Sequence, residues 1–117
     1  MTDFVFTVPG VVLRVVDGDT VDAELQVDWR GRGRRDERVR LIGFPPDINP
    51  DAPEKGTAAG KLAKAYVEGL LPVGAHIVVR AQKVDSFGRT LGTVQLPDGA
   101  DLGRLLLAEG FAVPYTG

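Results

Sequence analysis

The sequence contains no cysteine, and it has only one histidine, one methionine and one tryptophan. Without cysteine the chain can form neither a disulfide nor a thiolate metal site. His76 is the only histidine and Ser86 the only serine, so a multi-histidine metal site is excluded and a Ser-His-Asp triad would need both residues. The remaining chemistry must depend on carboxylates, arginines and, where a metal takes part, a hard oxygen-preferring cation.

The sequence also lacks an excess of positive charge and a long hydrophobic run. Its 14 basic and 16 acidic residues give a net charge of −2, so any nucleic-acid binding must be local. The N-terminal apolar stretch is interrupted by Pro9 and Arg14 and follows no basic region, unlike a secretory signal or a membrane span. We expect a cytoplasmic protein, or a secreted one whose signal has been removed, that does not contact a membrane.

What the sequence does contain is typical of a small β-rich protein. Its 117 residues are 44% hydrophobic, and 15 glycines and 8 prolines recur at short intervals. A chain of this length can bury a core without disulfides or metals. We therefore expect one monomeric domain spanning residues 1–117.

Hydrophobic patterning predicts three consecutive strands in the first part of the chain. Residues 11–16 are an apolar run that ends at the turn residues Asp17-Gly18-Asp19. Apolar and polar residues then alternate over 20–29, which indicates a strand with one buried face. Segment 30–34 turns the chain, and residues 38–42 return as a third strand. The apolar face of the second strand comprises Val21, Ala23, Leu25, Val27 and Trp29.

The second part of the chain predicts two helices and two further strands. Residues 43–56 include four prolines and are expected to form a surface loop. An amphipathic stripe over 57–71, ended by Pro72, predicts a helix whose apolar face packs on the sheet. Strands over 75–84 and 90–96 follow, and then a short helix over 102–109 with Asp101 as N-cap and Gly110 as its stop. The stripe comprises Ala59, Leu62, Ala63, Tyr66, Val67 and Leu70.

The resulting element order is β-β-β-α-β-β-α, which places the chain in the α+β class. This order is that of a five-stranded OB-type β-barrel with a helix between strands three and four, here followed by a short C-terminal helix. Such barrels often bind oligonucleotides, but a fold does not by itself determine function.

Three short motifs carry side chains suited to chemistry, and each also has an ordinary structural interpretation. Asp17-Gly18-Asp19-Thr20 presents a carboxylate and a hydroxyl from a rigid corner, or is simply a tight turn. Arg40 lies mid-strand, where a salt bridge to Glu24 or Asp22 on the neighbouring strand would equally explain it. Ser86-Phe87-Gly88-Arg89 places an aromatic ring and a guanidinium at a hairpin tip, or is a plain surface turn.

Two further features also allow two interpretations. The arginines between positions 30 and 38 form either a hairpin tip that contacts phosphates or a solvated turn balanced by Asp36 and Glu37. Tyr115, after the last helix, either stacks on a nucleic-acid base or docks loosely on the protein. His76 and Trp29 are expected to have structural roles.

Together and in chain order, these motifs resemble the thermonuclease, or staphylococcal-nuclease-like, family. The resemblance extends from about residue 11 to residue 113. It implies a calcium-dependent phosphodiesterase, that is, a nuclease that hydrolyses single-stranded or unstructured DNA and RNA. The motifs are Val-Val-Asp-Gly-Asp-Thr-Val, Val-Arg-Leu-Ile-Gly, Phe-Gly-Arg-Thr-Leu and Leu-Leu-Ala-Glu-Gly-Phe-Ala, with the amphipathic helix between the second and the third.

The resemblance also implies roles for individual residues. Asp19 matches the first calcium ligand, Arg40 and Arg89 match the two arginines on the phosphate, and Phe87 lies where the family often has a substrate-binding tyrosine. The chemistry is reasonable, because a phosphodiester under attack gathers negative charge that fixed guanidinium groups and a hard cation neutralise.

One segment departs from the family pattern. In the family, Asp-Thr-Pro-Glu or Asp-Ala-Pro-Glu follows the third strand directly and supplies the second calcium ligand and the catalytic glutamate. An ungapped reading places Pro45 and Pro46 at the first two positions and Ile48 at the glutamate. Pro45 has no side-chain oxygen to offer calcium, and Ile48 can neither orient nor deprotonate a water, so this register implies a dead or weakened site.

A second register restores the motif. Asp51-Ala52-Pro53-Glu54 is a literal match that begins six positions later, with Asp51 as metal ligand and Glu54 as base. The same four residues would also suit the entry to the following helix. In a third arrangement, Asp47 or Asp51 supplies a substitute carboxylate without a positioned base. An active nuclease and a degenerate barrel that binds nucleic acid or a protein both stay open at this point.

Overall fold

The computed structural model describes residues 6–27, 33–42, 49–53 and 56–115. No helix within these ranges is both long enough and apolar enough to cross a membrane. The elements are β1 (Phe6–Asp17), β2 (Thr20–Gln26), β3 (Arg34–Leu41), β4 (Asn49–Asp51), α1 (Ala58–Leu70), β5 (His76–Val84), β6 (Thr90–Gln95), α2 (Leu102–Ala108) and β7 (Val113–Tyr115).

Five of the strands close into a barrel in the order β1-β2-β3-β6-β5. The β3–β6 pair is parallel, and the other pairs, including the closing pair of β1 with β5, are antiparallel. The helix α1 connects the third and fourth barrel strands along the chain, and α2 follows the fifth. The predicted five-stranded OB-type barrel of the α+β class is therefore confirmed.

The barrel interior is filled by the inward side chains of alternating strand residues. On β2, Val21, Ala23 and Leu25 are buried as the alternation predicts. The prediction was wrong for Val27, which is 55% exposed because β2 has already ended; Trp29 lies outside the described residues. The buried cluster also includes Val12, Val39, Leu41, Val67, Leu71, Ile77, Val79, Val94, Leu102 and Leu106.

Two barrel strands are longer than the hydrophobic pattern predicts. Residues 6–11 of β1 pair with β5 and close the barrel. Residues 34–37 of β3 pair with β2, although the sequence pattern predicts a turn that includes residue 34 and a strand that begins at residue 38. Charged side chains hide the apolar alternation there. Arg34 pairs with Glu24 across the strands, and Arg35 pairs with Glu37 along β3 itself.

The proline-rich segment is not only a loop. Its residues 49–51 form β4, which pairs antiparallel with β7 in a separate two-stranded sheet. Opposite residues in this sheet are Asn49 and Tyr115, Pro50 and Pro114, and Asp51 and Val113. Proline is tolerated in a two-stranded sheet because every strand there is an edge. Three-residue strands leave no periodicity in a sequence, so neither strand was expected.

The first helix has the predicted extent but a different buried face. Thr57 is its N-cap, with Oγ1 accepting from the Gly60 backbone N–H at 3.0 Å. Gly60, Ala63 and Val67 are buried, whereas two residues of the predicted stripe, Ala59 and Leu62, are exposed. Small residues face β1, which lets the helix axis approach the barrel more closely than a leucine would permit.

Candidate active site

The turn between β1 and β2 holds a nearly buried carboxyl group. Asp19 is 8% exposed, and its backbone N–H donates to Asp17 Oδ1 at 3.0 Å, which closes the two-residue turn. The Thr20 hydroxyl donates to Asp19 Oδ1 at 3.0 Å. The Leu41 N–H donates to the Asp19 carbonyl at 2.9 Å and ties the turn to β3. Hydrogen bonds with residues of β1, β2 and β3 thus hold Asp19 in place.

Arg40 reaches this corner from β3. It lies opposite Thr20 in the β2–β3 register, and its Nη1 lies 3.2 Å from Asp19 Oδ2. The side chain of Arg40 is only 18% exposed. Asp22, one of its candidate surface partners, pairs with Arg38 at 2.9 Å and Arg14 at 2.8 Å. Arg40 therefore belongs to the acidic corner.

The two carboxyl groups of the turn differ in proton affinity. Burial raises the pKa of Asp19 to about 6, and its hydrogen bond with Asp17 acts in the same direction, while the charge of Arg40 opposes both. Burial also tends to raise the pKa of Asp17, but hydrogen bonds from Asp19 and Thr20 outweigh this effect and hold the Asp17 pKa below its ordinary value. The pair titrates as a unit, and the proton it retains lies mainly on Asp19.

The segment after β4 contacts the same carboxyl group. The Ala52 backbone N–H donates to Asp19 Oδ2 at 3.0 Å across 33 residues of chain. Asp51 precedes this contact as the last residue of β4, which is held opposite Val113 of β7. The structure thereby brings the backbone of the Asp51-Ala52 step to Asp19. The side chain of Asp51 and all of Glu54 lie outside the described residues.

Gly18 makes this approach possible. A Cβ at Gly18 would lie 2.8 Å from the Cβ of Ala52 and 2.8 Å from the Cβ of Ala63 on α1. Contacts that short essentially never occur between real side chains, so any larger residue would push both neighbours away. Three small residues thus let the turn, the segment after β4 and α1 meet beside Asp19.

The second predicted arginine lies at the hairpin between β5 and β6. The Asp85 carboxylate accepts hydrogen bonds from both the backbone and the side chain of Arg89. The Arg89 backbone N–H donates to Asp85 Oδ1 at 2.9 Å, and Arg89 Nε donates to Asp85 Oδ2 at 2.7 Å. The Arg89 guanidinium carbon lies 5.4 Å from the centre of the Phe87 ring, which is 82% exposed. The tip is therefore a fixed guanidinium beside an accessible aromatic ring.

The parallel register places this hairpin next to β3. Val39 lies beside Thr90, and Arg40 beside Leu91. Arg89 immediately precedes Thr90, so both predicted phosphate arginines extend from neighbouring strands of one sheet. Arg38, Phe87, Gly88 and Arg89 line an open cleft of about 550 Å³ here.

The structure does not describe every residue that the sequence analysis singled out. Pro45, Pro46, Asp47 and Ile48 of the ungapped register lie outside the described residues, as do the arginines at 30 and 32. Tyr115 is described only as a backbone position of β7.

The sequence motifs predict no role for Asp85, Arg38 or the Ala52 N–H. An acidic residue four positions before Arg89 in a turn was the available signal for Asp85. The parallel pairing of Val39 with Thr90, which brings Arg38 to the cleft beside Arg89, could not be predicted from the sequence. A backbone N–H contact such as that of Ala52 has no signature in side-chain chemistry.

The donors at the corner suit a hard cation. Those described are oxygens: the carboxyl groups of Asp17 and Asp19 and the Thr20 hydroxyl, the set that calcium and magnesium prefer. The pKa of Asp19 is raised to about 6, and a divalent cation can replace the proton that this carboxyl group holds at lower pH. Within the described part of the chain no three acidic, histidine or cysteine residues cluster, so a further carboxylate would have to come from outside those ranges.

The fold and the corner define a class: an OB-type barrel with a buried carboxyl group and arginines held by carboxylates near neighbouring strands. The family model for staphylococcal nuclease homologues matches residues 38–116. The chain belongs to this family, as the motif resemblance implied.

Curated relatives extend the similarity to the N-terminal strands. A protein named ParB from Escherichia coli is 41% identical over 114 residues, which covers 91% of this chain and 56% of that protein. A micrococcal nuclease from Shigella flexneri is 35% identical, with 91% of this chain and 58% of that protein covered. An uncharacterized endonuclease from Escherichia coli O157:H7 is 33% identical, with 91% and 60% covered. The chain therefore spans less than two thirds of the length of these relatives.

Proposed function

We propose that this chain is a calcium-dependent nuclease that hydrolyses phosphodiester bonds of DNA or RNA, with single-stranded substrates preferred. The observation that carries the proposal is the convergence of Asp19, Arg40 and the Ala52 backbone at one buried corner. Membership of the nuclease homologue family and the relatives named as nucleases support the same activity.

The displaced register of the acidic motif is the one we propose. The Ala52 N–H contact supports it, because Ala52 is the second residue of Asp51-Ala52-Pro53-Glu54. The pairing of β4 with β7 supports it independently, because that sheet holds the backbone of Asp51 immediately before the contact. In this register Asp51 joins Asp19 as a metal ligand and Glu54 is the general base.

The carboxylate oxygens of Asp19 are of the kind that calcium prefers. Asp19 and Asp51 would hold it, with Asp17 fixing the Asp19 turn from behind. When bound, calcium supplies positive charge that offsets the charge gathered on the phosphate oxygens during attack. Ionisation of Asp19 is needed for this role, so the proton that it retains below about pH 6 must first be lost.

The arginines would bind the phosphate. Arg40 is held by Asp19 and Arg89 by Asp85, so neither guanidinium needs to be ordered when the substrate arrives. Fixed donors of this kind stabilise a transition state more than mobile ones, because they need no reorganisation. Phe87 presents a ring face on which a base of an unpaired strand can stack.

Glu54 would orient the attacking water and accept its proton. A positioned general base contributes roughly 10²- to 10⁴-fold to a reaction rate. A barrel that lacked such a base would still bind nucleotides through its arginines. That degenerate binding module is the alternative that the experiment below distinguishes.

The test is cleavage of denatured DNA at alkaline pH with millimolar calcium, with a chelator control and the Asp19→Ala and Glu54→Ala variants. We expect the parent protein to cut only with calcium and both variants to lose nearly all activity. No cutting by the parent protein would contradict the proposed activity and favour the binding module. Cutting that survives Glu54→Ala but not Asp19→Ala would retain the nuclease and reject Glu54 as its base.

A further inference from the structure

The cleft beside Arg89 has a second cationic side chain that the proposed mechanism does not use. Arg38 lines this cleft together with Phe87, Gly88 and Arg89. No carboxylate is among its lining residues in the described part of the chain. A volume of about 550 Å³ lies within the range of roughly 300 to 1,000 Å³ that small-ligand sites occupy. The cleft thus combines two guanidinium groups and an exposed aromatic ring.

Arg38, like Arg89, is anchored by a carboxylate. Its Nε and Nη2 donate to the two oxygens of Asp22 at 2.9 and 3.2 Å. This two-point contact fixes the plane of the guanidinium and leaves Nη1 for a ligand. Asp22 remains ionised, because the hydrogen bond from Arg38 holds its pKa below the ordinary value.

Asp22 does not cancel the positive charge at Arg38. Arg14 donates to the same carboxylate at 2.8 Å from β1, so two guanidinium groups share one carboxylate. The charges of Arg14, Asp22 and Arg38 sum to one net positive charge, and the register places these residues in a row across β1, β2 and β3. Asp36 and Glu37 border the same row, and Glu37 pairs with Arg35. Only Arg38, at the end of the row nearest to Arg89, lines the cleft.

We propose that Arg38 binds a second phosphate of the substrate, the one next to the phosphate that is cleaved. This inference rests on the proposed nuclease function and names its substrate class: a strand with at least two consecutive phosphates. Arg40 and Arg89 contact the reacting phosphate, whereas Arg38 positions the strand and contributes to binding. The base between the two phosphates stacks on Phe87.

Arg14 provides a matched control. Arg14→Gln and Arg38→Gln each remove one guanidinium from Asp22 and change the net charge equally. Arg14 does not line the cleft. Because both variants lose the same charge, a difference between their salt slopes reports the position of Arg38. Thermal unfolding of both variants shows whether they remain folded to the same extent.

The experiment measures kcat and KM on an oligothymidylate of about 12 nucleotides, a length within the range that one OB-type barrel covers, and on a dinucleotide with one phosphodiester. For Arg38→Gln we expect KM on the oligonucleotide to rise about tenfold, the effect of one lost charge-assisted hydrogen bond. The slope of log KM against log salt should fall by about 0.7, the value for one phosphate of a single strand. Arg14→Gln should leave that slope as in the parent.

Two outcomes overturn the inference. Equal effects of the two substitutions on KM and on the salt slope would make Arg38 a strand-to-strand salt bridge only. A larger loss on the dinucleotide for Arg38→Gln than for Arg14→Gln would place Arg38 on the reacting phosphate instead. If the parent cleaves neither substrate, the nuclease proposal fails, and the same slope comparison in equilibrium binding of the oligonucleotide still decides whether Arg38 holds a phosphate.

Discussion

The Arg40 guanidinium and the Asp19 carboxyl group form an ion pair in which Nη1 lies 3.2 Å from Oδ2. Both side chains are largely buried, and the pair joins β3 to the β1–β2 turn. A guanidinium held in this way is oriented before a phosphate arrives. Asp19 thus supports two functions in our account, as a calcium ligand and as the anchor of a phosphate-binding arginine.

The first prediction concerns the free energy of unfolding without metal. Burial raises the Asp19 pKa to about 6 from 3.8, so between those pH values Asp19 binds more protons in the folded chain than in the unfolded chain, and its contribution to stability falls as the pH rises. Asp19→Asn cannot ionise and avoids this loss. We expect it to be more stable than the parent at pH 8 by about 1 to 3 kcal/mol, although it is inactive.

Thermal unfolding in chelator at pH 4 and pH 8 checks this expectation. The melting temperatures of the parent and Asp19→Asn should lie close together at pH 4 and separate at pH 8. If Asp19→Asn melts below the parent at pH 8, the ion pair with Arg40 stabilises the fold by more than the burial of the ionised Asp19 carboxylate destabilises it.

The second prediction concerns Asp85, whose carboxylate orients Arg89 at 2.7 Å. Asp85→Asn keeps the size of the side chain but removes its charge. We expect kcat/KM on denatured DNA to fall about tenfold, because a charge-assisted hydrogen bond to the arginine is weakened. Asp98→Asn, at another surface turn, is the control. Equal activities of the two variants would argue against a role for Asp85.

The third prediction concerns the close contact at Gly18. Gly18→Ala places a methyl group 2.8 Å from the Cβ atoms of Ala52 and Ala63, at a cost of about 1 to 3 kcal/mol for overpacking. Because Ala52 must shift, the calcium concentration for half-maximal activity should rise. Gly69→Ala is a control, since its Cβ would meet nothing within 4 Å. An unchanged calcium requirement in Gly18→Ala would mean that Ala52 does not help to form the metal site.

The fourth prediction concerns β7, the pairing partner of β4. A chain that ends at residue 112 lacks β7 and should hold the Asp51 backbone less firmly. We expect its half-maximal calcium concentration to rise more than that of Tyr115→Ala, which removes one side chain but keeps the strand. If both changes raise the half-maximal calcium concentration equally, the effect comes from the side chain of Tyr115 and not from the β4–β7 pairing.

Much of the barrel could be predicted from the sequence because its strands and helices carry strong local patterns. The alternation through Val21, Ala23 and Leu25 identified β2, and Thr57 and Pro72 marked the limits of α1. The pairing of β4 with β7 could not be predicted, because it joins two three-residue strands that are distant along the chain. Tertiary contacts, not local periodicity, form such strands.

The site was predictable to a similar degree. Asp19 and Arg40 were identified by their motifs, and the structure brings them together. The neighbourhood of Ala52 was not predictable, because the choice between two registers depends on how segment 43–50 returns to the barrel. A backbone contact across 33 residues is the kind of observation that only a structure supplies.

The most direct test of the displaced register compares Glu54→Gln with Asp47→Asn. Both substitutions remove one carboxylate from the segment between β3 and α1 and differ little in size. The measurement is the single-turnover rate of cleavage of denatured DNA at saturating calcium. We predict a loss of at least about 10²-fold for Glu54→Gln, the usual contribution of a general base, and a rate near that of the parent for Asp47→Asn. A Glu54→Gln protein that cleaves at the parent's rate would contradict the account.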